Sequence, residues 1–169
     1  MLIDVHNHSM AGVDDGSPDM DTTFHMFQMA YENDIRAIIL TPHYRSSMPD
    51  EVTHNRYKAF RKALWAAEKV SPDLKLYLGA ELFYDSEMLK KLQSGRAPTL
   101  NGTRYILVEF PVYAEYSYIN HAVRELWGAG YYPILAHIER YEALRKKERV
   151  EELIDLGAYM VVTYRRKRA

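Results

Sequence analysis

Cysteine is absent from this chain of 169 residues. Its absence excludes disulfides and thiolate metal sites, and it fits the reducing cytoplasm as the expected location. A surplus of one charge is also missing. The net charge is −1, so global charge points to no nucleic-acid partner and no membrane surface. No apolar run approaches the length of a transmembrane span, so membrane insertion is not expected. The N-terminus lacks the basic region and apolar run of a secretory signal. Internal repeats and low-complexity linkers are lacking as well. The length suffices for one domain with a real core. Any metal in it must be held by His, Asp and Glu, a ligand set that suits Mn, Fe or Zn.

What the sequence does contain is a regular alternation of strand-like and helix-like segments. Residues 2–6 read as a strand. Ser17 and Pro18 read as the cap and first turn of a helix that carries Phe24, Phe27 and Tyr31 at helical spacing. The apolar run 36–41 reads as a buried strand. A helix from about Asp50 to Val70 is expected to place Tyr57, Phe60, Leu64 and Ala67 on one face. A strand over 74–80, a short helix near 85–92 and a strand over 105–109 follow. Ile119, Val123, Leu126 and Trp127 mark another helix, closed by Gly128 and Gly130. A strand over 132–136, a helix through Leu153 and Ile154 ending at Gly157, and a strand over 158–163 complete the chain. This order predicts an α/β fold with a parallel sheet and helical crossovers.

Ligand-type residues recur where these strands end. In Ile3-Asp4-Val5-His6-Asn7-His8, the residues His6 and His8 share one face of an extended chain and can aim two imidazoles at one point. Thr41-Pro42-His43, Gly79-Ala80-Glu81, Glu109 and Ala136-His137 end the next four strands, and Asp14-Asp15-Gly16 lies in the loop after the first. Each alone reads more readily as a surface or capping group. Strand C-termini of a barrel-like sheet share one rim, so five in succession predict a site for two or three ions. Such a site activates water near neutral pH and clamps phosphate oxygens, so phosphate-ester hydrolysis is the expected chemistry. Arg140 is placed to neutralise a phosphate. His25, His54 and His121 lie on helices away from the strand ends and read as structural or solvated.

These motifs, with Gly12-Val13-Asp14-Asp15-Gly16-Ser17, Glu109-Phe110 and Ala136-His137-Ile138-Glu139-Arg140-Tyr141, resemble those of the bacterial PHP-superfamily tyrosine phosphatases of the CpsB/YwqE type. These are enzymes of capsule and exopolysaccharide systems. The resemblance implies a distorted (β/α)₇ barrel and a trinuclear centre that usually holds Mn²⁺. It implies removal of phosphate from tyrosines in the tail of a bacterial tyrosine kinase. By resemblance, His6, His8 and Glu81 hold one ion, Glu81, Glu109 and His137 a second, and Asp15 and His43 help hold a third. Arg140 binds the phosphate. A metal-activated hydroxide is the implied nucleophile, and the lack of cysteine excludes a thiolate phosphatase mechanism.

The resemblance runs from Met1 to about Val162. The family continues with a segment carrying an Asp-x-His pair and a further arginine, whereas this chain ends in Thr-Tyr-Arg-Arg-Lys-Arg-Ala. The expectation is therefore a truncated domain over 1–162 with a solvated basic tail over 163–169. It comprises about six strands of an incomplete barrel, whose open edge favours a homo-oligomer. The first and third ions would each lack a ligand. This leaves an impaired phosphatase, a non-catalytic metal- or phosphotyrosine-binding remnant, and a small-molecule PHP phosphoesterase as alternatives.

Overall fold

The computed structural model describes residues 1–162, apart from the side chains of Asp50 and Thr53. Among the described residues six passes of the chain lie side by side, and every hydrogen-bonded pair of strands is parallel. The first pass is β1 (Leu2–Asn7). The second is split into β2 (Ile35–Leu40) and β3 (His43–Tyr44), and the third into β4 (Lys75–Leu78) and β5 (Glu81–Phe83). Then come β6 (Tyr105–Glu109), β7 (Tyr132–Leu135) and β8 (Tyr159–Met160). One sheet has the order β1-β2-β4 and the other the order β3-β5-β6-β7-β8.

The strands expected over 36–41 and 74–80 end at Leu40 and Leu78, and the short strands β3 and β5 follow each of them past a break, so eight strands stand among the described residues where six were expected. The cause is local. Pro42 has no N–H to give a ladder. At Gly79 a Cβ would stand 2.6 Å from Leu100 Cδ2, so a larger residue there would have to push the Leu100 side chain aside. Pairing nevertheless carries across both breaks. Gly79 N–H donates to Leu40 O at 2.8 Å and Glu81 N–H to Pro42 O at 3.2 Å. The described strands form an open succession ending at β1 and β8, so the architecture is α/β with parallel sheets and a closed barrel is not observed. The basic tail over 163–169 and the last residue of the strand expected over 158–163 lie outside the described residues.

Five α-helices connect the passes: α1 (Met20–Glu32), α2 (Asp50–Val70), α3 (Met88–Gln93), α4 (Tyr116–Gly128) and α5 (Lys147–Asp155). The cap of α1 is Asp19, not Ser17. The Asp19 carboxylate accepts the Thr22 N–H at 2.8 Å. Ser17 is instead drawn inside, where its hydroxyl donates to Asp19 O and sits 2.8 Å from the Thr23 hydroxyl. On α2 the expected face is kept in part: Ala67 is buried and Phe60 packs against the core as expected. Tyr57 and Leu64 are exposed, and Ala63, Ala66 and Ala67 are buried with Arg56. Small residues let α2 lie close to α1 and β4, so the bulky side chains turn outward. On α4, Ile119, Val123 and Leu126 are buried as expected, while Trp127 lies half exposed.

The core divides along the two sheets. Phe27, Ile38, Leu40 and Leu76 pack with the alanines of α2. Leu82, Ile106, Val108, Leu126, Leu135 and Tyr141 pack around the larger sheet. The breaks at 41–42 and 79–80 fall where the sheets meet, and the residues just beyond them, His43 and Glu81, are paired in register.

Candidate metal centre

Each side chain of the site is aimed by a local irregularity. In β1 the register with β2 slips between Asp4 and Asn7, where Asp4 faces Ile38 and Asn7 faces Leu40. One extra residue is accommodated there, a bulge that turns His6. The strand ends at Asn7, whose N–H donates to Thr41 Oγ1 at 2.9 Å, and His8 lies just past it. The two imidazoles converge as expected, with Nε2 atoms 3.1 Å apart. They do so through a bulge and a strand end rather than through regular alternation.

The Asp14-Asp15-Gly16 loop folds back onto His8. Ser17 N–H donates to His8 O at 2.9 Å, and a Cβ on Gly16 would lie 2.1 Å from that same oxygen. Only glycine allows the return. The loop presents Asp14 Oδ2 at 2.7 Å from His8 Nδ1, and the same oxygen accepts the backbone N–H of His43 at 3.2 Å. Asp15 is more exposed, with Oδ1 at 3.3 Å from His43 Nε2.

His43 and Glu81 open β3 and β5, beyond the chain breaks, instead of closing the strands before them. Glu109 ends β6 as expected. His137 follows β7 in the left-handed region, with φ 37° and ψ 53°, a conformation costly for a side chain with a Cβ. A 3-10 turn over residues 138–140 then carries Arg140 to the mouth.

Glu81, almost wholly buried, is the hub. Its Oε1 lies 2.9 Å from His137 Nε2. Its Oε2 lies 3.1 Å from His6 Nε2, 3.0 Å from His8 Nε2 and 3.1 Å from His43 Nδ1. Three imidazole nitrogens crowd one carboxylate oxygen, yet that oxygen has no directed hydrogen bond. Glu109 joins from the other side, 3.2 Å from His43 Nδ1 and 3.4 Å from His137 Nε2. An orphaned buried carboxylate oxygen ringed by ring nitrogens is a donor set for a cation. Three overlapping groups offer ligand atoms close enough to share an ion: His6, His8 and Glu81; His43, Glu81 and Glu109; and His8, Asp14, Asp15 and His43.

The protonation balance reflects the crowding. Burial alone would raise Glu81, but the imidazoles of His137, His6 and His8 hold its carboxyl far below the ordinary range. Burial likewise opposes ionisation of Glu109, and His137 and His43 bring it down to about 2. Burial works against the charged form of His8, yet Asp14 and Glu81 raise it to about 10. Burial also opposes His137, which Glu109 and Glu81 raise to about 9. Protons thus bind tightly at the points where the carboxylates and ring nitrogens face each other.

A cavity of about 300 Å³ is lined by His6, His8, Asp15, His43, Glu81 and His137, with Arg140 and Gly16. Of the residues expected at the site, only Glu109 is not on that lining, and it stands behind His43 and His137. His25, His54 and His121 are exposed on helices. Two contributors carry no role in the sequence reading. Asp14 holds both His8 and the His43 backbone; the doubled aspartate before Gly16 is its signal. Tyr141 places its hydroxyl 3.3 Å from His137 Nδ1 and accepts the Phe110 N–H at 3.0 Å. Its signal is the four-residue spacing from His137.

Residues 2–165 match the family model for capsular polysaccharide synthesis, CpsB/CapC. The chain is 36% identical over 159 residues to tyrosine-protein phosphatase CpsB of Streptococcus pneumoniae, covering 94% of this chain and 65% of that one. It is 31% identical over 167 residues to tyrosine-protein phosphatase YwqE of Bacillus subtilis (strain 168), covering 96% and 64%. A solved structure described as "Crystal structures of YwqE from Bacillus subtilis and CpsB from Streptococcus pneumoniae, unique metal-dependent tyrosine phosphatases" superposes with a TM-score of 0.82. It shows 28% identity over 95% of this chain and 66% of that chain. The chain therefore spans just under two thirds of the length of these relatives.

Proposed function

Because the chain belongs to the CpsB/CapC family of capsular polysaccharide synthesis proteins, we propose that it is a metal-dependent phosphatase acting on phosphotyrosine. The observation that carries the reading is the convergence of three imidazole nitrogens on Glu81 Oε2, in a cavity that Arg140 lines. The names of the relatives support the substrate class, and the description of the solved structure supports the metal dependence.

In this reading His6, His8 and Glu81 hold one divalent cation, Glu81, Glu109 and His137 a second, and Asp15 and His43 help to hold a third, with Asp14 beside them. When bound, the cations supply Lewis-acid charge to the phosphate and activate water for attack on phosphorus. The chain's own groups do the rest. Arg140 carries a fixed positive charge at the mouth and takes the outer phosphate oxygens with a charge-assisted contact. His43 and Asp15 form the substrate-facing wall beside it. The leaving group is a phenolate whose conjugate acid has a pKa of about 10, so departure demands little protonation from the protein. The resident ion is proposed to be Mn²⁺, the substrate the phosphorylated tail of a bacterial tyrosine kinase, and the setting the cytoplasm. Among the described residues no helix is long and apolar enough to cross a membrane.

Phosphate release from a phosphotyrosine peptide, with and without Mn²⁺, tests the reading. The metal should be required, and Arg140→Ala should lower kcat/KM by about 10- to 100-fold, the worth of one charge-assisted contact. No turnover with any divalent cation rejects it. Tight phosphopeptide binding without turnover would instead favour a binding module.

A further inference from the structure

Outside the metal cavity, a second concave surface runs between α1 and α2. It consists of two adjoining hollows that share Met20, Lys58 and Lys62. The first, about 440 Å³, is walled by the loop at Gly12 and Val13 and floored by Arg56. The second, about 550 Å³, continues along α2 past Arg61 to Trp65. Lys58, Arg61 and Lys62 stand three and four residues apart, so they share one helix face. All three are exposed. None forms an ion pair among the described residues.

Arg56 makes this more than a solvated lysine face. It is only 3% exposed. Its Nη2 grips the backbone carbonyl of His43 and contacts Met48 Sδ at 3.5 Å, while Nε and Nη1 have no hydrogen-bond partner among the described residues. No carboxylate pairs with it among the described residues. The Tyr44 ring lies 5.2 Å from its guanidinium carbon and the Asp14 carboxylate favours its charge from farther off, but two buried N–H groups without a hydrogen bond are expensive to keep, and Lys58 and Lys62 line the same hollow.

The groove adjoins the metal cavity on two counts. Val13 leads directly into Asp14 and Asp15, and Arg56 holds the carbonyl of His43. We propose that this groove binds an anionic stretch of the substrate polypeptide, namely carboxylate or phosphate side chains flanking the phosphotyrosine that enters the metal cavity. The proposal rests on the phosphatase reading above and adds what the chain selects around the phosphotyrosine. From Arg56 to Lys62 the helix rises about 9 Å. An extended peptide covers that in about three residues, so the groove has room for a short flanking stretch of the chain and not for a single side chain alone.

The test uses the full chain loaded with Mn²⁺ and the double variant Lys58→Glu/Lys62→Glu, whose positions are exposed and outside the metal cavity. Labelled phosphotyrosine peptides carry neutral flanks, a glutamate three residues away on either side, or a second phosphotyrosine there. Both kcat/KM and affinity by fluorescence anisotropy are measured, at low and high salt. The original protein should favour the acidic peptides by roughly fivefold to tenfold, as two or three exposed charge contacts allow, and lose the preference in high salt. The variant should lose it at all salts, while turnover of p-nitrophenyl phosphate, too small to reach the groove, stays unchanged. A gain for only the glutamate or only the second phosphotyrosine peptide identifies which anion is read. Equal preference in both proteins, or none in either, overturns the proposal. So does binding to phosphatidylglycerol vesicles that the variant loses while showing no difference among peptides. If nothing is turned over but the acidic peptides still bind better to the original protein, the groove stands and the phosphatase reading falls.

Discussion

The hydroxyl of Tyr141 stands 3.3 Å from Nδ1 of His137, on the side of the ring opposite the Nε2 atom that faces Glu81. The imidazole is thereby held from behind. With Nδ1–H donated to the tyrosine oxygen, Nε2 carries the lone pair that a metal requires. The left-handed backbone at His137 places the ring, and Tyr141, itself fully buried, fixes its angle.

Tyr141→Phe should therefore weaken metal binding by about tenfold, the usual cost of losing a group that orients a ligand. Titration with Mn²⁺ followed by calorimetry would read this. The ring contacts with Phe110 survive the change, but the buried Phe110 N–H loses its acceptor, so a stability loss of about 1–3 kcal/mol should accompany it. An unchanged metal affinity with lowered stability would show that Tyr141 serves packing alone.

Gly16→Ala should disrupt the site more than the fold. The added Cβ meets the His8 carbonyl at 2.1 Å, which is backbone and cannot yield cheaply. The Asp14-Asp15 loop must move away, with a stability loss of at least about 2 kcal/mol and loss of metal from the His8, Asp14, Asp15 and His43 group. Gly95→Ala is the control. It adds a Cβ at φ 71° with open space around it, so it should cost only about 1 kcal/mol and leave the metal content, measured by mass spectrometry, intact.

The ionisation pattern sets how stability of the chelator-treated protein varies with pH. His8 and His137 are raised from 6.5 to about 10 and about 9. Their contribution is fully present below pH 6.5 and is lost as pH rises through 9 to 10. Glu109 is lowered from 4.5 to about 2, so its contribution is present above pH 4.5 and is lost as pH falls toward 2. Thermal melts should thus show a maximum between roughly pH 4.5 and 6.5. Added Mn²⁺ must displace the imidazole protons, so the rise in Tm that it brings should grow with pH from 6 to 9. A metal-induced rise that shrinks over that interval would contradict the ligand assignment.

Much of the site was legible because its residue types are chemically distinctive. His6, His8, His43, Glu81, Glu109 and His137 stand where apolar strand runs stop, and parallel strands bring such positions to one rim. Asp14 and Tyr141 stand off the strand ends, and the doubled aspartate and the four-residue spacing from His137 are weak marks. An aspartate in a loop and an aromatic after a turn are ordinary in sequence, and their roles arise only when the loop folds back onto His8 and the chain turns left-handed at His137. The same limit applied to the fold. Regular periodicity located the five helices and six passes of chain among the described residues, but the close approach of Gly79 to Leu100, and the turn of α2 that buries Arg56 in place of Tyr57, depend on neighbours distant in sequence.

The sequence by itself determined the kind of chemistry available. With no cysteine and with histidines and carboxylates at successive strand ends, the donors are nitrogen and oxygen and the parallel α/β architecture follows from the order of segments. Only the tertiary structure decided how those donors meet. A bulge in β1, a glycine with no room for a Cβ and a strained histidine backbone together direct three imidazoles at one oxygen of Glu81. The meeting of His6, His8 and His43 at Glu81 depends on close approach between segments far apart in the chain, and distances between such segments are not encoded in any local pattern.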